Sequence, residues 1–398
     1  MRTKPERERP PRGTEPVKHQ RRFPARWPVL VLANLLLVAI LLLAAELFLR
    51  KSSTLIVRQG QSPLSGFLEN DPDSLVEYTP RGRRLVPGSR VVIRNHYLSH
   101  RDVPMEISSQ GFRDRELPPR KAPDELRILV LGDSITWGDY LPASEVYVEQ
   151  AETRLRVLLP GRAVEVINGG VGDIGLREEI EILVERGLAL QPDAVLVAFY
   201  LNDSRPPSGF AGELAKPGWL RHHSVLASIV YRNLRLRGWL HQQGEDRFAW
   251  IQAARSLEWA RDPEAFLRLA GLARYDWGAA WREESWEAIT GGFARLRQLA
   301  REHGFRLAVA AFPVSFQVLS KVPDDSPQQR LRQILERESV PFLDLLPILR
   351  AHRQEDLFFD QCHLKPGGNA VVGQAIADFL HQALLEPPVD DAGEHPGP

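Results

Sequence analysis

The stretch "RILVLGDSITWGDY", residues 127–140, decides the reading of the fold. An apolar run from Ile128 to Leu131 breaks at Gly132, Asp133 and Ser134, the pattern of a buried strand handing over to a helix. A serine at such a turn either caps the helix or attacks a substrate. The residues that separate these readings lie elsewhere in the chain.

Outward from this stretch, apolar runs alternate with longer amphipathic ones. "RILVL", "AVEVIN" (163–168), "DAVLVAFYL" (193–201), "RLAVAAFPV" (306–314) and "VPFLDLL" (340–346) read as strands. "ASEVYVEQAETRLRVLL", "LREEIEILVERGLAL", "SPQQRLRQILERES" and "NAVVGQAIADFLHQALL" read as the helices between and after them. This alternation predicts an α/β fold with a parallel sheet covered on both faces. Residues 204–300 interrupt it with a helical, Trp- and Arg-rich insert holding Trp219, Trp239, Trp250, Trp259, Trp277, Trp281 and Trp286. Those aromatics are either core packing or a substrate lid. Residues 50–126 carry two strand candidates, 90–98 and 103–112, and suggest a small β unit beside the main domain, 127–385. The Pro-rich, acidic tail 386–398 is expected to be disordered.

The chain has 398 residues, 43% of them hydrophobic, with 51 basic and 51 acidic side chains. A zero net charge gives no indication of nucleic-acid binding. The balance hides an asymmetry, because residues 1–27 hold nine Lys and Arg against Glu6, Glu8 and Glu15. An apolar run follows from Pro28 to Leu49, with Glu46 its only charge. At 1.5 Å per residue it spans about 30 Å, the thickness of a hydrocarbon core. A buried core helix or a cleaved signal peptide would share these features, but the run exceeds a usual signal core and lacks an obvious A-x-A site. The expectation is therefore a single membrane span at 28–49, with the basic head cytoplasmic and the remainder extracytoplasmic.

In an open α/β sheet, ligands gather where strands end at their carboxyl side. The residues found there are Gly132, Asp133 and Ser134; Asn168 to Gly175; Asn202 and Asp203; and "DLFFDQCHLKPGG", with Asp360 and His363. A serine hydroxyl needs a base, and the base needs a partner that fixes its tautomer. Asp360-x-x-His363 supplies both if the two share one face of a helical turn. The oxyanion formed by attack needs donors, for which Ser134 N–H, the loop after the second strand and the Asn202 amide are candidates.

This set resembles the SGNH, or GDSL-type, hydrolases. "GDSITWG" matches the family's first block, "YLND" the third and "DQCHLKPGG" the last, and "SSQGFRDRE" resembles the lead-in of exported members. The resemblance covers about residues 127–385 and implies a flavodoxin-like α/β/α sandwich. It further implies Ser134 as nucleophile, His363 as base, Asp360 as its orienter, and an oxyanion hole from Ser134, the second block and Asn202. In that block, "INGGVGDIG", ungapped matching puts Asp173 where the family has glycine, with Gly172 one place before. A carboxylate there would repel the oxyanion unless it points away. Tyr200 also replaces a glycine of the third block. The implied activity is a serine esterase acting on a small ester, an acetylated carbohydrate first and a lipid ester second. The alternatives are an O-acyltransferase on cell-surface polysaccharide and an inactive glycan-binding homologue.

Two further signals compete with this reading. Gly170-x-Gly172-x-x-Gly175 follows a strand and precedes a helix, as a dinucleotide fingerprint does, but it follows the second strand and has no clear acidic partner downstream. No nucleotide cofactor is expected. Cys362 is the only cysteine and is expected to be a packing residue turned away from the Asp360–His363 face, and the 11 histidines show no HExxH metal pattern.

Overall fold

The computed structural model describes residues 27–62, 66–68, 75–118, 120–204, 219–243 and 249–385. The basic head, residues 205–218 within the insert, and the tail therefore lie outside the described residues. The chain divides into two units, Met1–Leu47 and Phe48–Pro398. The described part of the first unit is helical and belongs to the helix Trp27–Ser52, which has a mean hydropathy of 2.8 in its best window and no buried residue. That helix is long and apolar enough to cross a membrane.

The second unit begins with six short strands: β1 (Leu55–Arg58), β2 (Phe67–Leu68), β3 (Val76–Thr79), β4 (Gly82–Leu85), β5 (Arg90–Arg94) and β6 (Val103–Glu106). β2-β1-β5-β6 form one antiparallel sheet, and β3 pairs with β4 as a hairpin. Burial alternates along β5 and β6, so Val91, Ile93, Val103 and Met105 face the core while their neighbours do not.

The main sheet contains β7 (Glu125–Gly132), β8 (Ala163–Gly170), β9 (Ala194–Tyr200), β10 (Arg306–Phe312) and β11 (Phe342–Asp344). All four pairings are parallel, in the order β11-β10-β9-β7-β8. Counted within the sheet this is 2-1-3-4-5, the flavodoxin-like order implied by the resemblance. Every residue of β7 and β9 is buried, as parallel strands covered on both faces require. The helices Tyr147–Leu158 and Pro366–Leu385 pack together, while Leu176–Ile182 packs against Ser285–His303. Ser285–His303 leads directly into β10 and buries Ile289, Phe293, Leu296 and Leu299, so it acts as a crossover helix.

β7 has β8 on one side and β9 on the other. The chain leaves β7 outward to β8 and then returns across it to β9, which places the topological switch between β7 and β9. Ser134 follows one of these strands and Asn202 the other.

The side chain of Trp239 lies outside the described residues, and the described insert tryptophans are mostly core. Trp250, Trp259, Trp277 and Trp286 are buried, and Trp277 sits among Trp250, Trp281 and Phe316 at centroid distances of 5.4–6.0 Å. Trp219, by contrast, is 75% exposed. The segment Trp277–Trp281 packs against Leu201–Ser204, so the insert buttresses the loop that carries Asn202.

Candidate active site

The helix after β7 is a single turn, Ser134–Trp137. Asp133, and not Ser134, is its N-cap: its Oδ1 accepts from Ile135 N–H at 3.0 Å. The capping role is thus filled by the neighbour, which leaves the Ser134 hydroxyl available. Close approach builds this turn. A Cβ on Gly170 would lie 2.2 Å from Trp137 N, and one on Gly132 would lie 2.1 Å from Thr136 Oγ1. Asn168 secures the contact by donating to Thr136 O at 2.7 Å and accepting from Gly170 N–H at 3.0 Å.

His363 Nε2 lies 3.0 Å from Ser134 Oγ, and His363 Nδ1 lies 2.8 Å from Asp360 Oδ2. With Asp360 accepting from Nδ1–H, Nε2 is left to accept from the serine hydroxyl. The Asp360–His363 proximity does not come from a helical turn, as the spacing suggests. Asp360 Oδ1 accepts from the backbone N–H groups of Cys362 and His363 at 3.0 and 2.9 Å, and the turn closes through Phe359 N–H to His363 O at 2.8 Å. The aspartate folds the loop around its own carboxylate, ahead of the helix that starts at Pro366. Asn369 ties this loop to the sheet-covering layer, donating to Leu364 O and accepting from Tyr147 N–H.

Electrostatics suit a proton acceptor. Burial opposes charge on His363, but the Asp360 hydrogen bond and charge, aided by Asp133 and Asp139, hold its pKa above the ordinary value. Burial likewise works against the Asp360 carboxylate. Its bond to His363 and the two backbone donors prevail and lower its pKa. Tyr140, fully buried, covers the imidazole edge-on at 5.0 Å.

Cys362 is not turned away. Its Sγ lies 3.5 Å from His363 Nδ1, because the turn is not helical. Burial first, and then the Asp360, Asp133 and Asp276 charges, push the thiol well above its ordinary pKa, so it stays protonated and poorly nucleophilic. Asp360, Cys362 and His363 bring donor atoms within 4.8 Å of one another. A protonated thiol and a carboxylate already engaged by three donors fit a hydrogen-bonded turn better than a metal site.

Gly172 borders Ser134: a Cβ built on it would lie 2.7 Å from the Trp137 ring and 3.9 Å from Ser134 Cβ. Asp173 has φ +60°, the left-handed region where glycine is favoured and Asp is tolerated. This explains how an aspartate occupies a glycine position. Its carboxylate lies 3.9 Å from Arg83 Nη1. The glycines of the apparent dinucleotide fingerprint are accounted for by packing, with Gly175 approaching Asp203 O at 3.1 Å in the same sense. Asn202 is buried, and among the described residues its amide oxygen Oδ1 has no hydrogen-bond partner.

Sequence reasoning missed three supports. Arg113, buried within "SSQGFRDRE", donates to the carbonyls of Trp137 and Leu141 and so holds the exit of the serine turn. Arg83 reaches the second block from the β3–β4 hairpin, and Asp276 lies near enough to act on Cys362 and Tyr200. The "RGRR" of residues 81–84 was the available signal for Arg83, but charged hairpin residues ordinarily read as solvated.

No protein-family model matches the chain, and no curated protein matches it. Among solved structures, an acetyl xylan esterase aligns at 13% identity and TM-score 0.38, covering 65% of this chain and 100% of the other. A catalytic variant of an acetylxylan esterase from Geobacillus stearothermophilus aligns at 14% identity and TM-score 0.38, covering 64% and 94%. A lipase/acylhydrolase from Enterococcus faecalis aligns at 15% identity and TM-score 0.36, covering 65% and 96%.

Proposed function

We propose that this chain is a serine ester hydrolase of the SGNH type, held at a membrane by the helix Trp27–Ser52. The observation that carries the reading is the relay Ser134 Oγ, His363 Nε2, His363 Nδ1, Asp360 Oδ2, with contacts of 3.0 and 2.8 Å. Ser134 Oγ attacks the ester carbonyl carbon while His363 Nε2 takes its proton. The resulting imidazolium is stabilised by Asp360. Collapse of the tetrahedral intermediate expels the alcohol, which receives that proton from His363. Water, activated by the same imidazole, then cleaves the acyl-serine. Ser134 N–H, the Gly172–Asp173 backbone and the Asn202 amide are the proposed donors to the oxyanion.

The substrate class is an acetylated carbohydrate, which is what the family resemblance implies for an exported member. The basic head before the apolar helix favours a cytoplasmic N-terminus and an extracytoplasmic catalytic unit. Turnover of a small acetyl ester by the wild type and its loss in a folded Ser134→Ala variant tests the chemistry. Retained turnover in that variant contradicts it. Acyl transfer outpacing hydrolysis when an oligosaccharide is supplied would instead identify an acyltransferase. A C-terminal reporter active only in the cytoplasm contradicts the topology.

A further inference from the structure

We infer that Arg83, on the N-terminal β3–β4 hairpin, is a positioning residue for the oxyanion site, so that this hairpin belongs to the catalytic apparatus of the α/β unit. The inference rests on the hydrolase reading above and extends it to a part of the chain outside the family blocks.

Three observations carry it. Arg83 Nη1 donates to Gly172 O at 2.6 Å, a charge-assisted bond to the residue that borders Ser134. The same nitrogen lies 3.9 Å from Asp173 Oδ2, and the Arg83 side chain is only 12% exposed. The hairpin itself is clamped in place. Arg84, on the opposite strand face, bonds Glu185 at 2.8 Å, and Arg186 donates to Leu85 O at 2.9 Å. A Cβ on Gly82 would lie 2.5 Å from Glu178 Cγ, so the hairpin turn rests directly on the helix that follows the second block.

The consequence follows from peptide geometry. The C=O of Gly172 and the N–H of Asp173 share one planar trans peptide and point in opposite directions. Holding the carbonyl toward Arg83 turns the N–H to the other side of the peptide and polarises it as a donor. The guanidinium also offsets the Asp173 carboxylate, which would otherwise oppose negative charge developing on the substrate oxygen. Asp173 can therefore replace glycine at a position that needs a left-handed backbone, because Arg83 accompanies it.

The test is steady-state hydrolysis of p-nitrophenyl acetate by the full chain carrying Arg83→Met, Arg83→Lys, Asp173→Asn, and Arg83→Met with Asp173→Asn, with thermal midpoints to verify folding. Arg83→Met is expected to lower kcat by about 10- to 100-fold with KM nearly unchanged. Arg83→Lys should recover part of the loss. In the Asp173→Asn background the Arg83→Met penalty should shrink, since the charge to be offset is gone. An unchanged kcat in folded Arg83→Met, or an equal penalty in both backgrounds, overturns the inference while leaving the hydrolase reading intact. A wild type without Ser134-dependent turnover overturns both, and the wild-type control tells the two failures apart.

Discussion

His363 Nε2 stands 3.0 Å from Ser134 Oγ across 229 residues of sequence. The parallel sheet makes this contact by bringing the end of β7 and the loop before the last helix to one rim. The imidazole is oriented from behind by Asp360, and the Tyr140 ring packs against it in a T-shaped arrangement.

The pH dependence should reflect that arrangement. His363 must be neutral to accept a proton, and its pKa is held above the model-peptide value of 6.5. The acidic limb of kcat/KM should therefore have its midpoint above 6.5, with activity rising as pH rises through it. In Asp360→Asn the limb should move to lower pH, because burial then acts on the imidazole without the opposing charge. The plateau should fall on the order of 10³- to 10⁴-fold. A limb that does not move in Asp360→Asn contradicts the assigned pairing.

Asn202 should act on the transition state and not on the ground state. Asn202→Ala is expected to reduce kcat by about 10²- to 10³-fold with a small change in KM. A loss confined to KM would reassign the amide to substrate binding.

Two glycine substitutions separate close approach from chain entropy. Gly170→Ala places a methyl 2.2 Å from Trp137 N and should destabilise the protein by about 1–3 kcal/mol while reducing turnover. Gly291→Ala, in the helix Ser285–His303 with nothing within 4 Å, should stabilise by about 0.5–1 kcal/mol and leave turnover unchanged. Thermal or denaturant unfolding of both variants checks the contrast.

Glu179 offers a test of buried electrostatics. It is fully buried, and burial, with the Asp133 and Glu178 charges, pushes its pKa well above the ordinary carboxyl value. A carboxyl whose folded pKa is raised binds a proton that the unfolded chain has already lost. Its contribution to stability is thus present at acid pH and declines as pH rises above the ordinary carboxyl range. Glu179→Gln should flatten that decline in urea unfolding followed from pH 5 to 8, and an unchanged slope contradicts a neutral Glu179.

Much of this was legible in the sequence, because its signals are local. Five apolar runs mark the five parallel strands, and the residues just after β7, β9 and the last crossover supply Ser134, Asn202 and the Asp360–His363 pair. The contacts that were not legible depend on side chains meeting across long separations. Arg83 reads as a solvated hairpin arginine until the hairpin is seated on the helix after β8. The Asp360 turn reads as helical from its spacing alone, although two backbone donors to the carboxylate fold it otherwise. Asp173 adopts a left-handed backbone angle, φ +60°, that no sequence pattern displays.

The most direct test of the central claim is covalent labelling of the full chain by a fluorophosphonate, with the modified residue located by mass spectrometry. Stoichiometric modification of Ser134, abolished in a folded His363→Ala variant, is the predicted result. Labelling elsewhere, or labelling of Ser134 that proceeds equally without His363, would contradict it.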